Sequence, residues 1–147
     1  MRAPSAPIQT LATFAGATFL LAGILGFIPG ITSRHGDLAF AGHGSRAQLL
    51  GIFQVSILLN LVHLLFGIAG LAAARAQARA RGFLVGGGAI YLALWLLGLA
   101  NGGDWIPLNT ADNWLDFGLG SGMIGLGLAT SGAFRQAPHQ NDAAITR

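Results

Sequence analysis

The sequence predicts an all-α polytopic membrane protein, a bundle of four transmembrane helices in one domain. Three observations predict it. Charged residues make up only 9% of the 147, and apolar residues (AVILMFWYC) 53%. A water-soluble domain carries about 25% charged residues, because its surface must be solvated. The apolar residues also gather into four segments, each near or above the ~20 residues that cross ~30 Å of hydrocarbon. The few arginines flank those segments, six of the eight on one side.

The first segment is Leu11–Ile28, closed by Pro29-Gly30. It is read as an uncleaved helix, because the Ala39-Phe40-Ala41 stretch that resembles a cleavage site lies well beyond the apolar run. The second, Leu49–Ala74, would reach about 39 Å as one helix, longer than the bilayer core. Its start is therefore expected to project outside, lie along the interface, or be taken up by tilt. The third is Phe83–Ala100, ended by Gly102-Gly103 and Pro107, and the fourth is Trp114–Phe134. Residues 1–135 form the single transmembrane domain; 136–147 read as a flexible polar tail.

Orientation follows from arginine. Arg2, Arg75, Arg79, Arg81, Arg135 and Arg147 fall on one side of an even-numbered set of crossings, and Arg34 and Arg46 on the other. Cytoplasmic loops carry the excess of cations, so both termini are expected in the cytoplasm of a bacterial inner-membrane protein. The external loops would be 29–48 and 101–113. The same scatter of arginines in short loops makes no basic face, so nucleic acid is not an expected partner. The expected partners are the lipid bilayer and other membrane proteins or a second copy of the chain.

Helices in lipid associate through close backbone contact at small residues. The 23 glycines are ordered accordingly. Stripes at helical spacing run through Gly16, Phe19, Gly23, Gly26 and Gly30; through Ser56, Asn60, His63, Gly67, Gly70 and Ala74; through Gly82, Gly86, Ala89 and Ala93; and through Gly118, Gly122, Gly125, Ala129 and Gly132. Gly67, Gly70, Gly118, Gly122 and Gly125 are the expected packing glycines. Gly120-Ser-Gly122-Met-Ile-Gly125 has the letters of a dinucleotide fingerprint but follows no strand, and reads as helix packing.

Polar groups inside hydrocarbon are costly and need partners. Asn60, His63, Asn113 and Asp116 form the expected intramembrane polar cluster. Asn60-x-x-His63 and Asn113-x-x-Asp116 share a form, and each opens a glycine-rich helix. Each also follows a helix closed by an Ile-Pro pair, Ile28-Pro29 or Ile106-Pro107. This short, degenerate similarity suggests two pseudo-repeated parallel hairpins. It would bring His63 and Asp116 together as a hydrogen-bonded or ionic pair. Trp105 and Trp114 are expected interfacial anchors, while Tyr91 and Trp95 share a face with Gly88 and Gly98 that would pack between helices.

The chain has no cysteine, and therefore no disulfide, thiolate nucleophile or Cys-ligated metal. His35, Asp37 and His43 share the first external loop without a diagnostic metal spacing. No metal or cofactor is expected, and a lone intramembrane histidine argues against a bis-His haem. No nucleophile, base and orienting group recur at a catalytic spacing, so an enzyme is not expected.

The phrases Gly23-Ile-Leu-Gly26-Phe27-Ile-Pro29-Gly30, Leu50-Gly51-Ile-Phe53, Asn60-Leu-Val-His63-Leu-Leu-Phe-Gly67 and Leu108-Asn109-Thr-Ala-Asp112-Asn113-Trp114-Leu115 resemble a bacterial membrane family known as domain of unknown function 4383. The resemblance covers about Thr10 to Phe134. It implies a four-helix membrane protein and no established activity. The family often has a histidine where this chain has Leu59, and favours one where it has Asp116. Both departures weaken a metal or haem reading. The expected function is a non-catalytic structural or accessory subunit of a membrane assembly. The alternative is a small transporter or proton-conducting module using Asn60, His63 and Asp116.

Overall fold

The computed structural model describes residues 6–42, 44–100 and 108–132. It contains four helices: α1 (Pro7–Leu25), α2 (Ile57–Ala73), α3 (Gln77–Leu99) and α4 (Thr110–Gly132). Between α1 and α2 lie three two-residue strands, β1 (Thr32–Ser33), β2 (Gln48–Leu49) and β3 (Phe53–Gln54), paired antiparallel in the order β1-β2-β3. The expected tail 136–147 and Trp105 lie outside the described residues.

The second apolar segment is not one helix from Leu49. Its first residues turn back on themselves at Leu50-Gly51, both with positive φ, and pair Leu49 with Phe53. The helix starts only after Ser56, whose hydroxyl accepts the Leu59 N–H at 3.1 Å. A serine at that position satisfies one of the donors a helix start leaves open. The remaining 17 residues rise about 25 Å.

α1 packs chiefly on α2, and α3 on α4. The closeness of each seam comes from glycine. A Cβ on Gly16 would meet the Gly67 carbonyl oxygen at 3.0 Å, and one on Gly67 the Gly16 oxygen at 2.8 Å. In the second hairpin Gly88 and Gly120 repeat the arrangement, at 2.7 and 2.9 Å from each other's carbonyl oxygens. Only residues without a Cβ let two helix backbones approach so far.

The two hairpins match position for position. The buried α1 residues Ile8, Ala12, Gly16 and Phe19 stand 72 places before the buried α3 residues Ala80, Leu84, Gly88 and Tyr91. In the second helices the shift is 53. It takes Ser56 to Asn109, Asn60 to Asn113, His63 to Asp116, Gly67 to Gly120 and Gly70 to Met123. The rings of the equivalent residues Phe19 and Tyr91 stack on each other, 5.2 Å between centroids and 22° between planes. Equivalent residues can touch like this only where a two-fold relation brings them together. Phe66 packs edge-on to Phe19 and against Phe83, filling the centre with rings.

Two expected glycine stripes face the other way. Gly82 and Gly86 on α3, and Gly118, Gly122 and Gly125 on α4, have open space where a Cβ would go. Ala89 and Ala129 are exposed with them. The inward face of α4 is Asp112, Asp116, Gly120, Met123 and Gly127, on the opposite side of the helix. Small residues occur on both faces, so glycine spacing alone did not distinguish them. The α1 stripe from Gly16 to Gly26 and the α2 stripe from Ser56 to Ala74 do face inward, His63 being half-buried.

Candidate functional site

The costly polar groups lie toward the strand end of the bundle, in the opening turns of α2 and α4. Asn60 is fully buried. Its side-chain amide lies directly against Gly26 at the end of α1, where a Cβ would overlap it. Asn113 repeats this against Gly98 of α3. Both glycines therefore exist to admit an asparagine amide, a function the spacing of α1 and α3 did not reveal. Neither amide atom of Asn60 has a hydrogen-bond partner, nor does Asn113 Oδ1. An unmet buried polar group costs about 1–3 kcal/mol.

One turn further in stand His63 and Asp116. They do not form the expected pair: His63 Nδ1 and Asp116 Oδ2 are both buried without a hydrogen-bond partner. His63 instead faces Phe19 of its own hairpin, with ring centroids 6.0 Å apart, and Phe19 in turn stacks on Tyr91. Trp95 packs on Phe117, 4.9 Å between centroids.

Asn109 and Asp112 were not singled out from the sequence as partners, yet they build the best-satisfied polar feature. Asn109 Oδ1 accepts the Asp112 N–H at 3.0 Å, and Asp112 Oδ2 accepts the Asn109 N–H at 2.9 Å. This reciprocal pair caps α4. The same two side chains then reach the strands. Asn109 Nδ2 donates to the Ile52 carbonyl at 2.8 Å, and Asp112 Oδ2 accepts the Gln54 N–H at 3.2 Å. The second hairpin is thereby clasped to the strand insert of the first. The signal was present: Asn followed three residues later by Asp at a helix start.

The insert is held internally too. Ser45 Oγ donates to the Val55 carbonyl, at 2.5 Å, and Gln54 Nε2 to the Ser45 carbonyl, at 2.6 Å. Thr32 Oγ1 donates to the Leu25 carbonyl at 3.0 Å. The loop groups considered for a metal are spread: His35 Nε2 is 3.1 Å from the Phe27 carbonyl, and Asp37 pairs with Arg46 at 3.4 Å. His43 lies outside the described residues. Among the described residues no three His, Cys, Asp or Glu side chains gather as metal ligands would.

No curated protein and no solved structure matches the chain. A family model does, that of a domain of unknown function (DUF4383), over residues 9–129. The matched span holds both glycine seams, Asn60, His63, the strand insert, the Asn109–Asp112 clasp and Asp116. By that match the chain belongs to the domain of unknown function 4383 family.

Proposed function

We propose that this chain is a non-catalytic integral membrane protein, a structural or accessory subunit of an assembly in the bacterial inner membrane. It crosses the bilayer four times and keeps both termini in the cytoplasm. The observation that carries the reading is the inversion of polarity between its inside and its outside. α1 and α3 are long and apolar enough to cross a membrane, yet only 28% and 22% of their apolar windows are buried within the protein. The core helix of a water-soluble protein would be mostly buried. Instead Phe14, Leu65, Ile68, Leu96, Leu99 and Leu128 point outward, while the seam glycines Gly16, Gly67, Gly88 and Gly120, the Phe19 and Tyr91 rings and the unpaired atoms of Asn60 and Asp116 point inward. Exposed apolar surface on this scale matches lipid rather than water.

The accessory role rests on the filled centre, where backbone seams and stacked rings occupy the space a solute path would need. The open glycine faces of α3 and α4 offer a further helix the close approach that glycines favour in lipid. Native electrophoresis of membranes solubilised in mild detergent tests this. The chain should migrate in a species well above its own 15.1 kDa plus detergent. Migration only as the isolated chain would remove the assembly from the reading.

The unpartnered atoms of Asn60, His63 and Asp116 favour a second reading, a proton-conducting module. Intramembrane ionisable groups mark proton relays. Vesicles containing the protein would then dissipate a proton gradient, and Asp116→Asn would stop it. Vesicles that hold the gradient would exclude this reading.

A further inference from the structure

We propose that the strand insert between α1 and α2 is itself seated in the membrane, with Phe40, Leu50 and Ile52 inserted at the headgroup–acyl boundary of the outer leaflet. The inference rests on the transmembrane reading above and adds a lipid-binding surface to it.

All three side chains are largely exposed: Phe40 65%, Leu50 62% and Ile52 51%. Their height is fixed by backbone bonds. The Phe40 carbonyl accepts the Leu58 N–H at 2.9 Å, in the first turn of α2. The Ile52 carbonyl accepts Asn109 Nδ2 at 2.8 Å, at the first residue before α4. The tips therefore sit level with the starts of α2 and α4. The start of α2 is the end of a short span, since its 17 residues rise only about 25 Å against a hydrocarbon core of ~30 Å, whereas the 23 residues of α4 rise about 34 Å. Whatever caps α2 begins at the edge of the apolar layer or inside it.

The apolar surface also continues from the tips onto the flanks of the helices. Leu61 and Val62 of α2, and Trp114 and Leu115 of α4, are exposed in the next turn. Trp114 is an amphipathic ring of the kind that settles at the lipid boundary. This continuity selects lipid as the occupant.

Leu50 supplies the independent observation. Its φ is +55° and that of Gly51 is +72°, and the Ile52 N–H closes the turn onto the Leu49 carbonyl at 3.1 Å. Such a reversal ordinarily takes Asn, Asp or Gly at its first central position. A leucine there is strained and leaves most of its side chain outside the protein. Strain of this kind is retained where the side chain serves something outside the fold.

The cysteine-free sequence makes the test direct. Spin labels are placed singly through Phe40→Cys, Leu50→Cys, Ile52→Cys, Leu65→Cys and Arg46→Cys. The full chain is reconstituted in vesicles of phosphatidylethanolamine and phosphatidylglycerol. Collision with oxygen, which concentrates in lipid, is compared with collision with a water-soluble nickel chelate. Leu65 lies midway along α2 facing outward, and Arg46 is exposed in the insert. The three tip labels should show an oxygen-to-nickel ratio several-fold above the Arg46 site and below the Leu65 site. Tip labels matching the Arg46 site, with Leu65 still in lipid, would overturn the inference and leave the transmembrane reading standing. A Leu65 label open to nickel would overturn both. Tip labels shielded from both colliders would place them against protein and also overturn it.

Discussion

Gly67→Ala is the sharpest perturbation of the first hairpin. An added Cβ would lie 2.5 Å from the Leu20 backbone nitrogen and 2.8 Å from both the Gly16 carbonyl oxygen and Leu20 Cα. Ordinary carbon contacts are about 3.5–4.0 Å, and all three neighbours are backbone, which cannot rotate away. The helices must separate by about 1 Å along the whole seam. Overpacking of this kind costs about 1–3 kcal/mol, and the better helix propensity of alanine returns at most about 1 kcal/mol. A net loss of about 1–2 kcal/mol is expected. Gly122→Ala is the control, because nothing lies within 4 Å of its added methyl; it should be neutral or stabilising by up to about 1 kcal/mol. Unfolding by SDS titration from mild-detergent micelles, followed by circular dichroism, reads both. If the two variants unfolded within about 0.5 kcal/mol of each other, the ordinary scatter of an exposed substitution, the assignment of inward and outward faces would be wrong.

Two further outcomes follow from the geometry. Gly26→Ala and Gly98→Ala should destabilise to a similar degree, since each methyl would overlap an asparagine amide; widely different losses in the same titration would contradict the equivalence of the hairpins. Asn109→Ala removes the α4 cap and the tie to Ile52, and should cost about 1–2 kcal/mol while speeding deuterium uptake at Ile52–Gln54; unchanged uptake would show that the clasp does not hold the strands.

Much of the fold was legible because apolar length and glycine order are linear properties of a sequence. The four helices, the two-hairpin match and the inward α2 stripe could all be read from spacing. The α2 stripe was correct because Asn60 and His63 anchored it, and polar groups choose the inside of a bundle on energetic grounds. On α4 the glycine stripe Gly118, Gly122, Gly125 lies on the side opposite Asp116 and faces outward. Starting from Asp116 and stepping four, three and four residues gives Gly120, Met123 and Gly127, the face the structure buries. The strand insert was invisible because Leu49, Leu50, Ile52 and Phe53 are as apolar as a helix. The reversal at Leu50-Gly51 uses a leucine where the usual turn residues would have announced it. No hydrogen bond joins His63 to Asp116; His63 faces Phe19 instead, a tertiary contact that no local spacing encodes.

The most direct test of the account is the sidedness of single-cysteine variants in intact inner-membrane vesicles, read with a maleimide that does not cross lipid. Ala78→Cys, in the arginine-rich start of α3, should react only from the cytoplasmic face, and Gly36→Cys, in the α1–α2 connection, only from the other. Reaction of both from one face, or recovery of the unmodified chain in the soluble fraction without detergent, would contradict four crossings of a bilayer.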